Sequence, residues 1–175
     1  MERCEGCGFA YIDLEPPEVG SRIRQLAASH VEALEGARLT TGGDDVLRSR
    51  PSPPVWSALE YACHVRDVLL VQRDRVILSL VEDNPSFARM YRDERVGLLA
   101  YGEEPVDEVV AELIVAANLF AKVSERLTPG DLARRCVYNY PEPAAQTVAW
   151  LGDHTVHEVS HHLADVMSLL EEVSG

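Results

Sequence analysis

The chain has 175 residues, 46% of them hydrophobic and 26% charged, a length and composition typical of one globular domain rather than of a disordered chain. Its formal net charge is −13. This charge argues against nucleic acid and anionic membranes as partners, because a phosphate-binding surface needs clustered lysine and arginine.

Residues 1–16 are expected to form a short irregular segment in front of a helical domain that spans residues 17–175. The segment has no basic stretch followed by an apolar one, and the chain has no run of about 18 uncharged apolar residues, so we expect a cytoplasmic protein. Cys4 and Cys7 have the spacing of a zinc knuckle, but a structural zinc ion normally takes four ligands and the chain has no second Cys-x2-Cys. The pair could use another cysteine or histidine, pair across a homodimer, form a redox-labile disulfide, or be a relic.

Apolar residues at spacings of three and four predict four long helices. They are expected at about residues 17–36, 55–81, 106–127 and 145–173. Residues 83–104 are irregular and should cross one end of a bundle, and residues 134–143 should be a loop or a short extended piece. His30 lies on the apolar stripe of the first helix, where a core or pocket histidine is expected, and Cys63 and Cys136 are expected to be packed rather than disulfide-bonded.

The last predicted helix carries four of the six histidines within residues 154–162. Imidazoles and carboxylates four residues apart share a helix face, so they can hold one divalent ion together. Two such pairs overlap here, Glu158 with His162 and His157 with His161. At about 100° per residue, the first pair lies at the edge of the apolar stripe and the second projects to nearly the opposite side. A site that faces the core therefore favours Glu158 and His162, with His157 and His161 as the alternative pair.

The third candidate ligand is His64, at the edge of the apolar face of the second predicted helix. Bundles assemble metal sites from side chains on facing helices, and three protein ligands leave the ion an open position, which is typical of catalytic sites. Asp67 and Asp165 lie about one turn beyond candidate ligands. They would either accept hydrogen bonds from the ligand imidazoles or be solvated.

These helices carry two motifs that resemble those of the DinB-like superfamily. The motifs are Trp56-Ser57-x2-Glu60-Tyr61-x2-His64-x2-Asp67 and Glu158-x3-His162-x2-Asp165. The pattern is most similar to the branch that contains mycothiol-dependent maleylpyruvate isomerase and related thiol transferases, over about residues 17–172. The resemblance implies an all-α, antiparallel four-helix bundle with His64, Glu158 and His162 as metal ligands. Other branches use His-x3-His, which His157 and His161 would fit.

The resemblance also implies a chemistry. It is that of a divalent-metal-dependent transferase or isomerase that activates a low-molecular-weight thiol such as mycothiol for attack on a small-molecule substrate. Zinc is the expected metal, with nickel or iron as alternatives, and water in place of the thiol would give a hydrolase. Two hypotheses of other classes are a metal-binding module without catalysis and a dimerising structural or stress-response protein with an empty site. The substrate is not determined by any motif.

Overall fold

The computed structural model describes residues 3–12 and 14–174. Its elements in chain order are α1 (Pro16–Thr41), α2 (Asp44–Arg48), α3 (Ala58–Val81), β1 (Ser86–Phe87), α4 (Arg92–Leu98), a 3-10 turn (Tyr101–Glu103), α5 (Val106–Ser124), α6 (Pro129–Leu132), β2 (Arg135–Asn139), β3 (Pro143–Thr147) and α7 (Val148–Ser174). The four long helices confirm the predicted four-helix bundle.

Each of the four long helices packs mainly on two others. Both α1 and α3 contact α5 and α7, so consecutive long helices α1 and α3 lie diagonally across the bundle. Short loops join neighbouring helices in simple bundles, whereas the long connections of this chain permit the diagonal arrangement. The core includes Ile23, Leu69, Leu113, Phe120 and Leu151, each of which contributes about 1.5–3 kcal/mol by burial. None of the described helices is both long and apolar enough to cross a bilayer.

Helix α1 runs past its predicted end. Gly36 was expected to stop it, but the helix continues to Thr41 and ends at Gly42, whose φ is 130° and whose N–H donates to the carbonyl oxygen of Arg38. A positive φ is readily adopted by glycine, so the second glycine and not the first provides the helix end.

Helix α3 begins at Ala58 because Ser57 and Glu60 form a capping box. The Glu60 N–H donates to Ser57 Oγ at 3.3 Å, and the Ser57 N–H donates to Glu60 Oε2 at 2.8 Å. These two residues belong to the motif that resembles the DinB-like superfamily, and here they determine where the helix that carries His64 starts.

A three-stranded sheet was not predicted. β1 pairs in parallel with β2, and β2 pairs antiparallel with β3, whose residues 145–147 were expected in the last helix. The sequence of β3, Pro-Ala-Ala-Gln-Thr, has little intrinsic strand preference, so pairing with β2 decides its conformation. Helix α7 starts after it at Val148, where Thr147 Oγ1 accepts the N–H of Trp150 at 3.1 Å.

Candidate metal centre

His64 is the most informative residue of the candidate site. It lies on α3, is only 2% exposed, and packs edge-on against the Trp56 ring at a centroid distance of 5.1 Å. Within the described part of the chain, neither of its ring nitrogens has a hydrogen-bond partner. Burial, together with the nearby His162 and two arginines, lowers the pKa of His64 to about 3, so the ring is neutral at pH 7. A buried neutral imidazole without a partner is costly unless a further group binds it.

Glu158 and His162 face His64 from α7. His162 is 5% exposed, and its ring lies 4.9 Å from that of His64 between centroids. Its Nε2 is 3.9 Å from Glu158 Oε2, and one donor atom from each of the three residues lies within 4.8 Å of the others. Zinc bonds of 2.0–2.2 Å would place such donors about 3.4 Å apart, so small side-chain rotations suffice to bind one ion. The structure brings together the three residues that the sequence predicted.

Asp165 holds the ring of His162. The Nδ1–H of His162 donates to Asp165 Oδ2 at 2.8 Å, which leaves Nε2 on the side of Glu158. Burial by itself would raise the pKa of Asp165, but the hydrogen bond from His162 and the nearby histidines outweigh it, and the pKa is below its ordinary value. This is the contact by which a carboxylate typically orients a ligand imidazole.

Asp67 does not have the corresponding role. It accepts hydrogen bonds from Tyr101 Oη at 2.6 Å and from the guanidinium groups of Arg95 and Arg66 at 3.0 and 3.1 Å. The expectation that Asp67 accepts from His64 is therefore wrong. Helix α4 and the 3-10 turn, which supply Arg95 and Tyr101, lie in the stretch that appeared irregular in sequence, so no pattern indicated these partners.

His157 and His161 face away from His64 but are not a solvated face. Residues 3–12 lie against this side of α7 and bring Cys4 Sγ to 3.8 Å from His161 Nδ1. Cys4, Cys7, His157 and His161 form one cluster in which a donor atom of each lies within 4.8 Å of the others. The structure thus groups the alternative pair, His157 and His161, with the two cysteines and not with His64.

All four cysteines are free thiols, and their surroundings differ. Cys63 and Cys136 are buried as predicted, and burial raises the pKa of Cys63 to about 12. The N–H groups of Cys7 and Gly6 donate to the thiol of Cys4 and lower its pKa, whereas burial raises the pKa of Cys7. Cys4 therefore has the more stabilised thiolate of the knuckle pair.

A cavity of about 220 Å³ opens beside His64. Its lining includes Arg75, Arg89, Arg92, Tyr138 and Tyr140. Backbone carbonyl oxygens hold two of these guanidinium groups: Arg75 donates to that of Ala88 at 2.5 Å, and Arg89 to that of Pro141 at 2.6 Å. Among the described residues, neither Arg75 nor Arg89 forms an ion pair with a carboxylate.

Asp93 and Glu94 also line this cavity and Asp93 lies 3.9 Å from Arg92, so the three arginines leave an excess of one positive charge next to His64 in a chain of net charge −13. Sequence reasoning missed them, because an arginine that lines a cavity has the same pattern as one on a solvated face. A second cavity of about 270 Å³ is lined by His161, His162 and Asp165 together with Trp56 and Tyr61, and shares Arg92 and Asp93 with the first. The two cavities thus border different residues of the cluster, His64 in the first and His162 in the second.

Comparisons with known proteins agree with this architecture. The family model of the DinB superfamily matches residues 20–166. A search of the curated proteins gave no significant match. Among solved structures, the chain is similar to YfiT from Bacillus subtilis, with a TM-score of 0.76 and 18% identity over 90% of this chain and 86% of that one. That protein is described as a probable metal-dependent hydrolase with an unusual four-helix bundle topology.

Proposed function

Since the chain belongs to the DinB superfamily, we propose that it is a metal-dependent enzyme whose divalent ion is held by His64, Glu158 and His162. The observation that carries the proposal is the buried His64 ring, whose two nitrogens have no partner among the described residues while two further donors face it. The description of the structural neighbour YfiT as a probable metal-dependent hydrolase supports a metal in this fold.

The donor set fits zinc, and also nickel or iron, because neutral imidazole and carboxylate suit all three. Three protein ligands leave a coordination position for a small molecule. The ion would supply Lewis-acid activation, which lowers the pKa of a thiol or of water.

The chain's own residues would perform three tasks around the ion. Asp165 fixes the tautomer and orientation of His162. The rings of Trp56 and Tyr61 cover the cluster, at centroid distances of 5.1 Å from His64 and 5.4 Å from His162, and so limit the access of bulk water. Arg75 and Arg89 in the cavity form no ion pair with a carboxylate of the described residues. The lining as a whole, which includes Asp93 and Glu94, has one excess positive charge, which favours a substrate that carries a single carboxylate.

We further propose that the activated molecule is a low-molecular-weight thiol of the mycothiol type. The support is the ligand pattern of one histidine followed by Glu-x3-His, which resembles the mycothiol-dependent branch. In such a reaction the thiol sulfur bonds to an electrophilic carbon of the substrate, and the proton from the thiol goes to the atom that receives the displaced electron pair. Transfer ends with the thioether. Isomerisation requires rotation about the former double bond, after which the added proton is removed, the double bond re-forms and the C–S bonding pair leaves with sulfur as the thiolate.

A hydrolase is the second candidate. It is favoured by the description of YfiT, and the same three ligands would serve for activation of water. The arginine-lined cavity fits an anionic substrate in either reaction.

Metal analysis of purified protein tests the site. We expect His64→Ala to remove the ion bound at this cluster. His30→Gln is the matched control, because His30 is equally buried but donates from Nε2 to the carbonyl oxygen of Val159 at 3.0 Å and is not part of the cluster. Equal metal content in both variants and the wild type would contradict the proposed ligand set.

A spectroscopic titration separates the two chemistries. Cobalt-loaded protein carrying Cys4→Ser and Cys7→Ser is titrated with mycothiol, with glutathione for comparison. The two substitutions remove the part-exposed thiols, and Cys63 and Cys136 are buried in the core, so sulfur-to-cobalt absorption comes from the added thiol. Saturable absorption with mycothiol alone supports thiol transfer. No change with either thiol in a fully loaded protein would leave the hydrolase.

A further inference from the structure

We infer that the protein has a second metal site, of structural type, formed by Cys4, Cys7, His157 and His161. The site uses none of the three ligands of the proposed catalytic centre. Two thiol sulfurs and two imidazoles are the donor set of many structural zinc ions, and four protein ligands leave no open coordination position. The partner that the Cys-x2-Cys pair lacks in sequence is thus supplied by one face of α7.

The distances fit a tetrahedral ion. Bonds of about 2.3 Å to sulfur and 2.0–2.1 Å to nitrogen place a sulfur and a nitrogen ligand about 3.6 Å apart. Cys4 Sγ and His161 Nδ1 are 3.8 Å apart, and no donor atom of the four is more than 4.8 Å from another. A contraction of a few tenths of an ångström at the closest pair, and of about 1 Å at the widest, completes the site.

The loop between the cysteines is shaped to approach α7. The Cys4 N–H donates to the Phe9 carbonyl oxygen at 2.9 Å, the Gly8 N–H donates to that of Cys4 at 2.9 Å, and Gly8 has a φ of +73°. A Cβ atom on Gly6 would lie only 2.9 Å from Cε1 of His161. Glycine at both positions is therefore required, one for the turn and the other for close approach to the histidine.

Neighbouring groups contact both histidines of the proposed site. Tyr11 Oη lies 3.1 Å from His157 Nδ1, and the Phe9 ring packs against His157 at a centroid distance of 5.3 Å. His161 faces Cys4 with Nδ1, and its other nitrogen, Nε2, is 3.8 Å from Asp165 Oδ2. The hydrogen-bond contact of His157 is typical of a metal-ligating imidazole.

The same segment is also attached to α7 beyond the knuckle. The N–H groups of Ile12 and Leu14 donate to the carboxylate of Asp153 at 3.2 and 3.0 Å. An ion at the four-residue cluster would fix the other end of the segment, so that the segment is held at Cys4 and Cys7 and again at Ile12 and Leu14, on a side of α7 about 100° from the proposed catalytic ligands. The site would act as a clasp that holds this helix face in position.

Metal stoichiometry of the full-length chain tests the clasp. We expect two ions per chain in the wild type, one in the Cys4→Ser/Cys7→Ser variant, one in His161→Ala and one in His64→Ala. Glu5→Gln is the control within the knuckle, since Glu5 is exposed and is not a donor of the cluster. It should retain both ions. An unchanged metal content after the double cysteine substitution would overturn the second site.

If the wild-type chain binds fewer than two ions, cobalt spectra show which of the two proposed sites is empty. Without added thiol, sulfur-to-cobalt absorption comes only from Cys4 and Cys7, so it should persist in His64→Ala and vanish in the double cysteine variant. Its absence in cobalt-loaded wild-type protein, under reducing conditions, would overturn the clasp and leave the catalytic site untouched. Sulfur-to-cobalt absorption in a His64→Ala protein that binds one ion supports the clasp, independently of the proposed catalytic function.

Discussion

Two candidate ligand pairs of the same spacing lie on α7, displaced by a single residue, and they face different surroundings. Glu158 and His162 point to His64 on α3, beside an arginine-lined cavity. His157 and His161 are about 100° away around the helix axis and point to the knuckle of the N-terminal segment. The pairs are similar in sequence, so the difference between them comes from the segment that each one meets.

That difference determines the chemistry expected of each pair. The inner pair, Glu158 and His162, faces one further nitrogen donor, so an ion there has room for a substrate or cosubstrate. The outer pair, His157 and His161, faces two thiols, which complete a four-ligand shell and favour a structural role. Asp165 lies between the clusters, 2.8 Å from His162 Nδ1 and 3.8 Å from His161 Nε2. A spacing motif on one helix is therefore insufficient to distinguish a catalytic from a structural site.

Alanine substitution of His161 or His162, which are adjacent in sequence, should have the largest effect on metal binding. His162→Ala should abolish metal binding at the inner site and retain the cobalt–thiolate absorption, whereas His161→Ala should do the reverse, because each ligand set must converge on its own ion. Elemental analysis together with the cobalt spectrum measures both sites. Loss of the inner ion in His161→Ala with its retention in His162→Ala would show that the assigned faces of α7 are wrong.

Asp165→Asn should have the next largest effect. The asparagine keeps the size of the side chain but loses the charge that stabilises the His162 ring, so inner-site affinity should fall about 10–100-fold. Competition with a chromophoric chelator measures the inner-site affinity of the wild type and of the variant. Asp74→Asn is the control, because Asp74 is exposed, pairs with Arg73 and belongs to neither cluster of candidate ligands. An equal loss in the control, or none in either variant, would show that Asp165 does not orient the ligand.

Removal of residues 1–10 separates the two regions directly. We expect the bundle to remain folded and the inner site to stay loaded, because α3 and α7 supply all three inner ligands. The outer ion should be lost, and the free energy of unfolding should fall by about 1–2 kcal/mol from the lost packing of Phe9 alone. Thermal unfolding and metal content measure these effects. Failure of the truncated chain to fold would show that the N-terminal segment is an essential part of the core and not only a clasp on α7.

Much of this architecture could be predicted from local patterns. Apolar spacing predicts the four long helices, and the helical phase alone separates Glu158 and His162 from His157 and His161. Helix ends were less accurate, because Gly36 and Gly42 are both plausible ends in sequence and only the backbone conformation shows which one is used.

The remaining features depend on contacts between distant parts of the chain. β3 forms because β2 lies beside it, and nothing in its own composition predicts a strand. Cys4 finds its histidine partner 157 residues further on. Arg75 and Arg89 acquire a role only where the cavity forms, and Asp67 is engaged by Tyr101 and not by the histidine one turn away. Periodicity carries no information on such pairings.

Tyr101→Phe, which tests the contrast between Asp165 and Asp67, should have the smallest effect on metal affinity. Tyr101→Phe removes a hydroxyl that donates to the Asp67 carboxylate in a buried network, which should lower the free energy of unfolding by about 1.5–3 kcal/mol. Since Asp67 does not contact His64, inner-site affinity should stay within about twofold of the wild type, in contrast to Asp165→Asn. Denaturant unfolding and chelator competition on the same preparation measure both quantities. A loss of affinity that matches the loss in Asp165→Asn would mean that the Asp67 network positions His64 through α3, and that the two carboxylates act alike.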